Sequence, residues 1–402
     1  MSQGSKKKRW LTLQIIVLIG TVVGLGGCAV EQIKKSQTVH PSSSTQAKTL
    51  RYVKTIDVVG LGSNDAIKRL IAGQDTHDLV RPVAIDVRGD SMIIAESGRV
   101  YKKSGLTVPE PDFGIATPEA DVGWRMVDEG SGIIFRYDLK TGRMKMLHGA
   151  GDYIKGDVSD IYLASDDSFF LTDVEGKRAL HFSPTGRLLN IYKHPPNIFR
   201  PIAITVDEKR KEVLVADETY SHIVAFDMEK AEPIYGMGSR GNGPGKFRII
   251  TDMIAIPGGF AVSDRIELRV QILDRAGNFV ANFGQGEITF PTALATDPDG
   301  RIYVSDKADS TIRVYKAGKL VDKIGINGDG AGEFRYISDM KVLDNRLYVV
   351  DSLNGRIQVF DFIPETTSSD SNGIEKNSEA QTAVNRVVIT MASLTEMPSL
   401  VK

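Results

Sequence analysis

The sequence predicts an all-β chain closed into a six-bladed propeller, and two observations carry the prediction. One phrase returns six times: an Asp, a small or β-branched apolar residue six positions on, and an aromatic or Leu nine positions on. The Asp residues are Asp128, Asp173, Asp217, Asp264, Asp306 and Asp351. Their partners at the sixth position are Ile134, Ala179, Ile223, Val270, Ile312 and Ile357, and at the ninth Tyr137, Phe182, Phe226, Leu273, Tyr315 and Phe360. The second observation is the period. Successive Asp residues lie 45, 44, 47, 42 and 45 positions apart, the length of one four-stranded blade. Each phrase reads as strand, tight polar turn, strand, as in LYVVDSLNGRIQVFD at 347–361. A lone four-stranded sheet has two unpaired edges and bare faces, so such units gain stability by stacking into a ring.

The best-preserved stretch, 200–361, contains GPGKFRIITDM, GRIYVSD and NGRIQVFD. Here the chain resembles the NHL-repeat family, while blades one and two are degenerate. The resemblance implies a six-bladed NHL-type propeller, in agreement with the count of Asp phrases. NHL propellers are platforms for protein or RNA, and relatives of similar build are lyases or lactonases. The resemblance therefore leaves binder and enzyme open.

Taken from the N-terminus, MSQGSKKKRW is a basic start and LTLQIIVLIGTVVGLGG an apolar run of signal-peptide length. LGGC at 25–28 resembles a bacterial lipobox, so 1–27 is read as a lipoprotein signal peptide and Cys28 as the acylated residue. A plain membrane anchor or a secreted chain with an incidental Cys is the competing reading. Two or three acyl chains give stable anchoring where one does not. The expected address is the bacterial cell envelope, extracytoplasmic and held to the membrane by the lipid. Ala29 stands where an Asp commonly signals inner-membrane retention, which points toward an outer membrane. Cys28 is the only cysteine, so no disulfide within the chain is possible.

Loss of 1–27 removes Lys6, Lys7, Lys8 and Arg9 and leaves 46 basic and 51 acidic residues. No Lys/Arg run survives in the repeats. Nucleic acid is therefore not an expected partner, because phosphate binding needs clustered positive charge. Residues 28–48 are polar and aperiodic, a flexible tether of roughly 25 Å r.m.s. span. The propeller is expected over 49–363. The tail, 364–402, is Ser/Thr/Glu-rich and mostly disordered by composition, with VNRVVITMASL as a short element of no assignable role.

Blade six supplies three strands, SDMKVLD, RLYVVD and RIQVFD, and lacks its outer one. TLRYVKTIDVVG at 49–60 has the pattern of an outer strand, so the N-terminal strand is expected to complete the last blade. Blade one is too long by about 30 residues, and an insertion is expected at about 98–124, after SMIIAES. Tyr101, Phe113 and Trp124 with Lys102 and Lys103 line a partner groove on one reading and pin a ligand-free cap on the other.

The six repeat Asp residues read as structural, since an Asp before turn residues accepts backbone N–H groups and fixes a hairpin. GSRGNGPGKF (238–247) and GINGDGAGEF (325–334) lack the GK[ST] ending of a phosphate loop and read as blade connections. None of His40, His77, His148, His181, His194 and His222 falls in an innermost strand; His181 and His222 belong to third strands and His148 to a fourth. A three-His zinc site is not expected, and no G-x-S-x-G is present.

At the start of the first strands, blades one to six carry Val83, Asp160, Ile202, Asp252, Thr292 and Asp339. The flanks alternate, RPVA, RPIA and FPTA against SDIY, TDMI and SDMK, a two-blade unit set three times around the ring. First strands line the channel, so Asp160, Asp252 and Asp339 are candidates for a channel-mouth binding site. A ring of oxygens suits Ca²⁺, an amine or a sugar; the alternative is that each Asp caps its own strand. No catalytic residue and no other cofactor is indicated. The function read from the sequence is a binding or scaffolding module for a protein or other ligand on a propeller face. The alternative is an extracytoplasmic hydrolase or lyase with a metal at the channel mouth.

Overall fold

The second strand of each blade is apolar on both sides, as in FFLTD, EVLVAD and LYVVD, because neighbours cover both faces of every blade. The computed structural model describes residues 49–56, 79, 81–97, 99–103, 106–109, 125–128 and 132–363, with backbone alone for the three segments between 99 and 128. Six four-stranded antiparallel sheets are formed. Their inner strands are Pro82–Arg88, Val158–Leu163, Pro201–Asp207, Ile250–Ile256, Pro291–Thr296 and Ile337–Leu343. Each inner strand packs beside the next, and the sixth packs beside the first, so the ring closes. Pro opens three of these strands, the position where a missing N–H is tolerated.

Six hydrophobic clusters fill the molecule, one between each pair of neighbouring blades. Strand alternation divides each blade between two of them. In blade one, Ala84, Ile93 and Ala95 pack toward blade two, while Ile85, Met92 and Ile94 pack toward blade six.

The outer strand of blade six is Leu50–Ile56, as the sequence predicts. It pairs antiparallel with Arg356–Phe362, from Leu50 opposite Phe362 to Ile56 opposite Ile357, with a slip between Tyr52 and Lys54. Thr49 adds a tie to blade five, donating from its backbone N and its Oγ1 to Asp322 Oδ2 at 2.9 and 2.8 Å.

The two faces of the ring are built from different connections. One, here the upper face, carries the turns between second and third strands and the links from each outer strand to the next blade. The lower face carries the first–second and third–fourth turns. Both glycine-rich links lie on the upper face, as blade connections. Each folds back on a fully buried ring, Phe247 or Phe334, and Gly238 and Gly325, both at positive φ, have no Cβ to run into those rings.

Two expectations need correction. Asp128 does not end the second strand of blade one. That strand is Ser91–Glu96, and its third strand is Ile133–Asp138. Asp128 closes Arg125–Asp128, which with Arg99–Lys103 and Leu106–Pro109 forms a separate three-stranded sheet inside the insertion. Glu96 holds the repeat position instead and accepts the Arg81 N–H at 3.3 Å. The insertion thus extends past 124, to the start of the third strand. His148 lies not in a fourth strand but in the short helix His148–Gly151 that follows one. Cys28, the signal segment, the tether, the tail, His40, His77 and the side chains of Tyr101, Lys102, Lys103, Phe113 and Trp124 lie outside the described residues.

Candidate functional site

Asp160, Asp252 and Asp339 each stand third in an inner strand and are four to seven per cent exposed. Each carboxylate uses one oxygen on the next N–H of its own strand and the other on the inner strand of the following blade. Asp160 accepts from Ile161 and Ile204, both at 2.8 Å. Asp252 accepts from Met253 at 2.6 Å and from Leu294 at 2.6 Å. Asp339 accepts from Met340 at 2.7 Å and from Ile85 at 2.8 Å. The three residues therefore fasten blade two to three, four to five and six to one. Caps confined to their own strand would not do this.

Two residues complete the cluster that sequence reasoning missed. Asp86, on the inner strand of blade one, accepts from Val87 at 2.9 Å and from Leu163 of blade two at 2.6 Å. Lys341 extends from blade six past blade one to Asp160 Oδ1 at 3.0 Å, and lies 3.5 Å from Asp339 Oδ1. Its ammonium thus pairs with two of the four carboxylates, and its charge also acts on Asp86 and Asp252. Burial pushes the Asp86 carboxyl up to about 6, opposed first by Lys341. Burial and then the charge of Asp160 push Asp252 up to about 7. Asp339 is raised well above the carboxylate range, by burial foremost and by Asp160 and Asp252 against the pull of Lys341. Burial alone would lower the Lys341 ammonium, but the surrounding carboxylates hold it well above its ordinary value. Among the described residues no group of three or more His, Cys, Asp and Glu side chains is placed to hold a metal ion.

Asp173, Asp217, Asp264, Asp306 and Asp351 are almost wholly buried and clamp the upper face. Asp217 accepts from Phe199, Arg200 and Tyr220 N–H groups at 2.7, 2.6 and 2.8 Å. Asp306 accepts from Thr289 at 2.6 Å and from Phe290 and Ala308 at 3.0 Å, and meets Arg313 at 2.6 Å. Asp173, Asp264 and Asp351 repeat the pattern with Lys155, with Arg248 and Ile249, and with Arg335 and Tyr336. Each fixes its own hairpin turn and also the link arriving from the previous blade.

The surface held by these clamps differs from the opposite one. Tyr153, Phe199, Tyr220, Ile266, Leu268 and Ile326 are exposed, and all lie in upper-face turns or links. Phe199 packs edge-on to Tyr220 at 6.5 Å, with Lys177 Nζ over its ring at 3.6 Å. Arg265 and Lys307 lie over Phe290, and Lys307 also over Tyr336. The other exposed large apolar residues, such as Ile191 and Ile234, are on outer strands, and among the described residues none is in a lower-face turn.

Comparison with known proteins supports the architecture. Residues 293–371 match the model of a family described as 6-bladed beta-propeller. No curated protein matches. Among solved structures, the crystal structure of the computationally designed Ika8 protein is similar, with 13% identity over 71% of this chain and 74% of that one. Its TM-score of 0.41 adds nothing to what the strand order shows. The strand order over the described residues and the family match over 293–371 agree that this chain is a six-bladed β-propeller.

Proposed function

We propose that the protein is a lipid-anchored, extracytoplasmic propeller of NHL type that works as a protein-binding module through its upper face. The observation that carries this reading is the one-sided distribution of exposed aromatic and aliphatic side chains in the turns and links of the described residues. Clustered exposed apolar surface with interleaved cations is the chemistry of a protein interface, where aromatic residues dominate the binding energy. The chain enters the propeller at Leu50 and leaves at Phe362, and both are on the lower face. An anchor at Cys28 is therefore joined to the propeller by a chain that enters on the face opposite these exposed apolar side chains.

The enzyme reading, with a metal at the channel mouth, has less support. The oxygens of Asp160, Asp252 and Asp339 already accept backbone N–H groups, and Lys341 stands where a cation would.

The test compares face variants in the membrane-bound protein. Tyr220→Asp and Ile266→Asp are expected to abolish photo-crosslinking of a partner from a benzophenone placed at Phe199, while Lys230→Glu on the lower face leaves it intact. Equal crosslinking in all variants would refute the assignment of the face. Cys28→Ser is expected to abolish incorporation of an acyl label and release the protein from the membrane; normal cleavage with retention at the membrane would remove the anchor from the reading.

A further inference from the structure

Each inner strand begins at the upper face, and the residue before it is tied to the turn of its own blade. In every blade the residue after the repeat acid donates its backbone N–H to that residue's carbonyl, at 2.8–3.1 Å. The six pairs form a rim around the upper mouth of the channel. In blades three, four and five they are Glu218 with Arg200, Arg265 with Ile249, and Lys307 with Phe290.

Across this arc the side chains also join one blade to the next. Glu218 accepts from Arg265 Nη2 at 3.4 Å and pairs with Arg200 as well, so two guanidinium groups share one carboxylate. The Arg265 guanidinium lies over the Phe290 ring, 5.2 Å from its centre. Lys307 Nζ is 5.4 Å from the centre of the same ring and 5.0 Å from that of Tyr336. A cation–π contact holds a guanidinium in place while its N–H edge stays available. The Arg265 side chain is 30% exposed, and the long contact to Glu218 is the sole hydrogen bond of its guanidinium among the described residues. Arg carries five N–H donors in a planar fork that fits a carboxylate through two parallel bonds. Most of that fork is left for a ligand, beside a second cation and next to the exposed Ile266 and Tyr220.

We propose that the partner presents a carboxylate to this arc, an Asp or Glu in an acidic and apolar protein segment. Arg265 and Lys307 hold that carboxylate above Phe290, and its apolar neighbours lie on Ile266 and Tyr220. The proposal rests on the upper-face reading and adds the partner's chemistry to it. A bound carboxylate competes with Glu218 for Arg265, so Glu218 limits the affinity of the site.

Two terminally blocked peptides with an uncharged dye test it: Ser-Leu-Glu-Trp-Glu-Leu-Ser and the same chain with Gln for both Glu. Fluorescence anisotropy is read with the full-length chain in uncharged detergent micelles. The Glu peptide is expected to bind about tenfold more tightly than the Gln peptide, as one charge-assisted hydrogen bond gives. Its binding should weaken as salt rises. Arg265→Gln should weaken the Glu peptide to the level of the Gln peptide. Glu218→Gln should tighten the Glu peptide several-fold, a direction that no folding defect can imitate. Lys230→Gln, on the lower face, should change nothing. Equal binding of the two peptides, or binding of neither, would overturn the carboxylate. A preference that survives Arg265→Gln would overturn its position. A trinucleotide that binds more tightly than the Glu peptide would overturn the partner class. Crosslinking from Phe199 judges the face separately. Its loss in Tyr220→Asp without any peptide preference keeps the face and removes the carboxylate; unchanged crosslinking there removes both.

Discussion

Lys341 is the residue on which the channel turns, because among the described residues its ammonium is the cation set against Asp86, Asp160, Asp252 and Asp339. Lys341→Met is expected to cost about 3–5 kcal/mol at neutral pH, the penalty of leaving buried charge unpaired, and urea unfolding would measure it. The loss should shrink at pH 5, where the raised carboxyls are protonated. With Lys341 in place, Ca²⁺ should leave the melting temperature unchanged; a clear rise would return the channel to the list of metal sites. Asp252 gives a signed pH effect. Its folded value of about 7 lies above the unfolded one. Its contribution is thus fully present below the unfolded pKa and is lost as pH rises through the folded one. The stability of Asp252→Asn relative to the native protein should improve from pH 4 to pH 8; a constant difference would contradict the shift. The Asp column was legible in the sequence because it recurs every second blade. Lys341 was not, because it meets Asp160 across 181 positions of chain, a contact made only by closing the ring.

Within a blade, the element that recurs is a hairpin turn locked to the link that arrives beside it. Asp306→Ala would strand the N–H groups of Thr289, Phe290 and Ala308 and leave Arg313 short of its closest carboxylate. A loss of about 3 kcal/mol is expected, and calorimetry would show it; a change under about 0.5 kcal/mol, typical of an uninvolved surface site, would refute the clamp. These elements were readable because strand, turn and strand are local and share one pattern. Blade one was misread for an equally physical reason. Its repeat carboxylate is Glu96, one methylene longer, and the insertion placed Asp128 at the blade period by coincidence of length.

Across the whole molecule, stability comes from six interfaces of similar make and one closure. Removing residues 49–56 would expose the edge of Arg356–Phe362 and take Leu50 and Ile56 out of two hydrophobic clusters. The melting temperature should fall far more than after deletion of 29–48; equal effects would sink the closure. The same pairing has a kinetic side. Arg51 and Asp361, joined at 3.2 Å, are 310 positions apart, so the first strand to be synthesised is the last to find its place. Until blade six exists, that strand has no partner and the ring has two open edges, the state in which β chains associate with one another. Non-local closure of this kind is slow to form. A circular permutant that begins at the outer strand of blade three and joins the native ends would move the last closing step to a different seam, and its refolding rate would report how much of the folding time is spent waiting for the ends to meet.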